Sequence, residues 1–212
     1  MSESNPNSRL EAFCDGVFAI AITLLVIDIK VPSAANVNAK KEVWMAFAND
    51  LPSFMAFLLS FIFIFVSWVN HSNFFRMLEK SSPKFIYANG LLMLSIVLVP
   101  FTDAAVAEYL TSENVNLAQP AITLYCAVVL LNNIAWLIIS YIGFYGKSLL
   151  KTNVDVAKIK QQAAYIRYGF VLYVFIFVLS FWFPLISFII MSLSFVTWLV
   201  QSITAREEKM TM

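Results

Sequence analysis

The sequence predicts an all-α membrane protein with six transmembrane helices in a single domain spanning 1–212. Three observations lead there. Of the 212 residues, 60% are hydrophobic and only 13% are charged, where soluble domains carry roughly 25% charged residues. Long stretches lack Asp, Glu, Lys and Arg altogether: 51–75, 85–102, 114–146 and 168–205. Finally, Lys and Arg segregate to one side when the spans are threaded alternately through a bilayer. The net charge of +1 offers no electrostatic basis for a nucleic-acid partner.

The first span is expected at 9–30. It contains "FCDGVFAIAITLLVIDI" (13–29), in which Asp15 and Asp28 bracket the charge-free residues Gly16 to Ile27. A lipid-exposed helix needs about 20 apolar residues, so this helix suits the centre of a bundle better than its rim. The second span is expected at 47–75 and the third at 85–108, with Pro100 as a possible kink and Asp103 in an acidic outer loop around 103–118. The fourth is expected at 119–146. The stretch 168–205 is too long for one span at about 1.5 Å per residue. It contains "SFWFPLIS", where Pro184 can stop a helix, so the fifth and sixth spans are expected at 163–182 and 184–204. "KTNVDVAKIKQQ" before them reads as a solvated, partly helical linker.

This arrangement puts Arg9, Arg76, Lys80, Lys84, Lys147, Lys151, Lys158, Lys160, Arg167, Arg206 and Lys209 on one side, eleven of the fourteen basic residues. By the positive-inside rule both termini are cytoplasmic, in a multi-pass protein expected in the cell membrane. The N-terminus has no short apolar core followed by small residues, so no cleavable signal peptide is expected. Asp15 then lies near the inner end of the first span. "WVNHSNFFR" (68–76), with the sole histidine His71, lies near the inner end of the second.

Ile20, Leu24 and Ile27 fall at i, i+4, i+7 and line one stripe, which Phe13 and Val17 extend inward and Thr23 adjoins. On periodicity alone the stripe fits lipid contact and helix packing as well as a pore wall. Gly16, Ala19 and Thr23 make a small-residue face that would let helices approach closely. Asp15 needs donors; Arg9, Trp68, Asn70 and His71 are suitable, as a clasp between the first two spans or as part of a proton relay. Asp28 either snorkels to outer water or contributes an acidic outer mouth. Asn89, Asn132 and Asn133 are expected in hydrogen bonds between helices. Cys14 and Cys126 are expected as small core residues, not a disulfide.

No nucleotide, zinc-hydrolase or nucleophile-elbow motif occurs, and one histidine with two separated cysteines offers no usual metal set. No enzyme and no cofactor are expected. A carbonyl filter of the T-V-G-Y-G type is absent as well.

"RLEAFCDGVFAIAITLLVIDI" (9–29) resembles the signature of the transmembrane protein 175 family, the lysosomal potassium channels and their bacterial relatives. The family pattern Arg-x-x-x-Phe-Ser-Asp-Gly is matched at Arg9, Phe13, Asp15 and Gly16, with Cys14 in place of Ser. "WVNHSNFF" and "NGLLMLSIVLVPF" (89–101) extend the likeness. The resemblance implies a homotetramer in which the first helix of each subunit lines a central pore. It implies a constriction at Ile20, Leu24 and Ile27, ion selectivity involving Thr23, and a clasp joining Arg9, Cys14 and Asp15 to Trp68 and His71. The partners would be identical subunits, the lipid bilayer and monovalent cations, with permeant potassium as the only bound species. The rival classes are a proton-coupled transporter using Asp15 and His71, and a non-conducting membrane scaffold.

Overall fold

The charge-free stretches are mainly helical where the computed structural model describes them, over residues 6–29, 40–110, 115–145, 149–152 and 154–210. The described helices are α1 (Ser8–Leu25), α2 (Lys40–Asn49), α3 (Leu51–Met77), α4 (Pro83–Leu110), α5 (Ala118–Tyr145), α6 (Val156–Leu179) and α7 (Pro184–Met210). By length and composition, four of these segments can cross a membrane: Leu51–Met77, Pro83–Leu110, Ala118–Phe144 and Ile159–Leu179. The apolar part of α7, Pro184–Val200, is shorter. α1 carries Arg9, Glu11 and Asp15 within its 18 residues and tightens into a 3-10 turn at Val26–Asp28.

The helix ends follow local chemistry. Asp155 caps α6, its Oδ1 accepting from the Ala157 amide at 2.8 Å, which satisfies one orphan donor of the first turn. The helix therefore begins at Val156, inside the stretch expected as a linker. Pro184 opens α7, where its missing N–H costs nothing. The second span was expected from 47. Instead the chain bends at Asp50, between the short helix α2 and α3. Asp50 N–H bonds the Ala46 and Phe47 carbonyls, and its carbonyl accepts from Ser53 and Phe54, so hydrogen bonds run on through the bend. Pro52 near the start of α3 supplies no amide to continue the ladder backward.

α4 is the hub: it packs against α5, α1 and α3, while α5 also packs against α6. Its large buried side chains Phe85, Leu92 and Ile96 are fully enclosed. α1 rests mainly on α4 and α3. At the turn after α3, Leu78 pairs with Leu150 in a short antiparallel bridge. Glu79 N–H bonds the Leu149 carbonyl at 2.8 Å and Lys151 N–H bonds the Met77 carbonyl at 3.0 Å, which ties together the loops after α3 and α5.

Asp103 departs from the loop position expected of it. It lies within α4 and is only 3% exposed. Apolar residues continue past it at Ala104–Ala107, so the helix runs on to Leu110 and carries the carboxylate into the bundle.

Candidate pore helix and its polar clasp

α1 divides sharply by face. Cys14, Phe18, Ala21 and Leu25 are buried against the rest of the protomer. On the other side Phe13 is 61% exposed, Ile20 61%, Leu24 39% and Ile27 70%. Gly16, Ala19 and Thr23 are exposed as well. The stripe marked out by helical period is thus the face that the protomer leaves uncovered. Thr23 Oγ1 donates to the Ile20 carbonyl at 2.8 Å, so its hydrogen is used within the helix while its oxygen keeps acceptor capacity. The side chain of Asp28 lies outside the described residues.

At the base of α1, Trp68 Nε1 on α3 donates to Asp15 Oδ1 at 2.8 Å. The other expected donors do not converge there. Arg9 is exposed and Asn70 half-buried. Among the described residues neither bonds Asp15. Cys14 is fully buried in the protomer core, about 100° around the helix from Asp15.

His71 bonds Asn89 and not Asp15. Its Nε2 lies 2.9 Å from Asn89 Oδ1 on α4, while Asn89 Nδ2 donates to the Phe85 carbonyl at 3.0 Å. Because the amide N–H is spent on that carbonyl, Asn89 Oδ1 is the acceptor and His71 Nε2 carries the hydrogen. The His71 ring meets α1 through Phe18, centroids 5.4 Å apart, and also packs on Phe75 at 4.5 Å and Trp136 at 6.5 Å. The expected clasp is therefore two separate contacts: a hydrogen bond from Trp68 to Asp15, and an aromatic contact from His71 to Phe18.

The partnership of His71 and Asn89 was open to a simple argument. α3 and α4 are antiparallel neighbours joined by a short turn, and the two residues are equidistant from position 80. Ser60 and Asp103 are nearly equidistant from the same turn, and they too are bonded, Ser60 Oγ to Asp103 Oδ1 at 2.6 Å. Asn132, expected in an interhelical bond, donates to Ser95 on α4 at 2.9 Å. Among the described residues no group of three His, Cys, Asp or Glu side chains could hold a metal ion.

These features define an all-helical membrane protein in which a short, acid-bearing helix presents an apolar stripe away from its own protomer. The family described as endosomal/lysosomal potassium channel TMEM175 matches residues 9–100. A potassium channel of Chamaesiphon minutus is 37% identical over 180 residues, covering 84% of this chain and 86% of that one. The crystal structure of a lysosomal potassium-selective channel TMEM175 homolog from Chamaesiphon minutus aligns with a TM-score of 0.80 at 33% identity, over 92% of this chain and 97% of that one. The bovine endosomal/lysosomal proton channel TMEM175 is 27% identical over 139 residues, 63% of this chain and 29% of that protein. The chain belongs to the TMEM175 family, a family of ion channels and not of enzymes.

Proposed function

We propose that this protein is the subunit of a homotetrameric, potassium-permeable cation channel of the cell membrane. Six spans cross the bilayer, both termini are cytoplasmic, and α1 of each subunit surrounds the central pore. The observation that carries this reading is the uncovered stripe of α1, with Ile20 at 61% and Ile27 at 70% exposure in the isolated protomer. α1 is too short and too charged to favour lipid, so a pore shared by four copies gives that stripe a place. The potassium-channel relative at 37% identity supports potassium as the permeant ion.

Rings of Ile20, Leu24 and Ile27 then form the constriction. Hydrated cations cross a narrow apolar ring only at high cost, so the ring gates by wetting and drying. Aliphatic side chains offer no ligand oxygen. Thr23 supplies one beside the ring, which makes it the residue to test for ion preference. Asp28 stands at the outer mouth. The bond between Trp68 and Asp15 holds the inner end of α1 on α3. Asp15 and His71 bond different partners, which speaks against a direct proton relay between them.

Planar-bilayer recording of the purified protein under a potassium gradient tests the reading. Discrete conductance steps support a channel. Saturating, proton-coupled uptake without steps would mean a transporter, and no flux from pure protein a scaffold. A proton current that persists with potassium replaced by an impermeant cation would reassign the permeant ion.

A further inference from the structure

Asn89, Ser95 and Asp103 of α4 are bonded to neighbouring helices: Asn89 to His71 on α3, Ser95 to Asn132 on α5, and Asp103 to Ser60 on α3. They stand six and eight residues apart, about 9 and about 12 Å along the axis. The outermost differs from the others because it includes a carboxylate and joins three helices. Ser60 Oγ donates to Asp103 Oδ1 at 2.6 Å and lies 2.7 Å from the Tyr125 hydroxyl on α5. Ser60 has a single hydroxyl hydrogen, committed to the carboxylate, so Tyr125 is the donor to Ser60. The chain is therefore directed from Tyr125 to Ser60 to Asp103. Exposure is 2%, 0% and 3% along it. An acidic residue inside a membrane bundle is costly and marks a functional position more often than a packing one.

The position within α4 gives the chain its leverage. Pro100 lies three residues before Asp103. Proline has no N–H, so the Ile96 carbonyl loses its usual helical partner and the helix has a natural bending point. Thr102 Oγ1 donates to the Val99 carbonyl at 3.0 Å, a bond that bridges the same point from within. Asp103 sits just beyond Pro100 and ties the outer segment of α4 to α3 and, through Ser60, to α5. α1 rests mainly on α4 and α3, the two helices that the Ser60–Asp103 bond joins.

We propose that Tyr125, Ser60 and Asp103 form a latch that fixes the outer segment of α4 against α3, and so sets the seat of α1. Asp103 is a positioning residue of the gate and forms no part of the pore wall. The latch rests on the reading of α1 as the pore helix.

Single-channel recording of the full-length protein tests it, comparing wild type with S60A, D103N, D103L and S60A/D103L. The asparagine oxygen of D103N still accepts from Ser60, whereas leucine cannot. The expected result is that S60A and D103L each shift the ratio of open to closed time by at least about tenfold, the scale of a lost buried bond to a charged group. D103N stays within about twofold of wild type. The double variant shifts by less than the sum of the two single shifts, because both substitutions remove the Ser60–Asp103 bond. Unitary conductance and potassium-over-sodium preference stay at wild-type values in every variant. The latch is overturned if S60A gates as wild type, if D103N gates like D103L, or if conductance changes together with gating. Should D103L fail to assemble, the contrast between S60A and D103N decides alone. A wild-type protein that carries no current overturns the channel reading itself. Wild-type current with unchanged S60A gating removes the latch and leaves that reading intact.

Discussion

Trp68 on α3 and Asp15 on α1 are joined by an indole-to-carboxylate hydrogen bond of 2.8 Å, the only side-chain hydrogen bond between these two helices among the described residues. The sequence separation of 53 makes it a tertiary contact, and it bonds the N-terminal half of α1 to α3. Replacing Trp68 by Phe keeps most of the apolar surface and removes the donor. W68F should lower stability by about 1–2 kcal/mol. D15N should cost less, since its amide oxygen still accepts. Thermal unfolding in detergent measures both, and a W68F protein as stable as wild type would show that the bond contributes nothing.

The second contact at that level gives a different expectation. His71 is 1% exposed and its Nε2–H has Asn89 Oδ1 as acceptor. N89L leaves this donor unsatisfied in an aromatic cage, at a cost of about 1–3 kcal/mol. Replacing both partners, as in H71F/N89L, removes the orphan and fits another ring among Phe18, Phe75 and Trp136. The double variant should recover part of the loss. If it is less stable than N89L, His71 contributes something besides the bond to Asn89.

The exposed stripe of α1 predicts a dissociation of stability from function. Ile20→Ala, Leu24→Ala and Ile27→Ala each truncate a side chain that is at least 39% exposed in the protomer. Protomer unfolding should move by no more than about 0.5 kcal/mol. Potassium flux from liposomes, or the preference for potassium over sodium, should change. Unchanged flux and preference in all three variants would show that the pore wall lies elsewhere.

A fourth prediction concerns the packing of α5 on α3. A Cβ added at Gly143 would stand 2.5 Å from Phe74 Cζ. Phe74 is 1% exposed, stacks on Phe85 with centroids 5.9 Å apart, and also meets Trp136 and Phe144. Its ring has nowhere to go. G143A should therefore cost about 1–3 kcal/mol through overpacking, although alanine is the better helix former. Gly16, where an added Cβ meets nothing within 4 Å, serves as the contrast. An equal effect of G16A and G143A on protomer unfolding would refute the packing explanation.

Much of the architecture was legible in the sequence because it is local. Freedom from charge marks the helical stretches, and Pro184 breaks the longest of them where it stands. The spacing of Ile20, Leu24 and Ile27 puts them on one face, as any α-helix must. Other features needed more than local pattern. Asp103 reads as a loop acid because glutamates follow soon after it, and burial leaves no mark on the residue itself. The bend at Asp50 arises in a stretch whose composition suits a continuous helix. His71 and Asp15 share a depth, yet depth does not fix the direction in which an imidazole points.

The sequence by itself determined that this is a helical membrane protein, that its first helix carries an apolar stripe between carboxylates, and that this helix bears the family signature. Composition, period and helix-end chemistry act within a single segment, so they need no neighbour to be read. Only the tertiary structure decided that Asp15 takes Trp68 as its donor, that His71 takes Asn89, and that Asp103 is enclosed with Ser60 and Tyr125. Those choices follow from which faces of α1, α3, α4 and α5 pack together. A buried polar group must bond whatever partner that packing brings within reach.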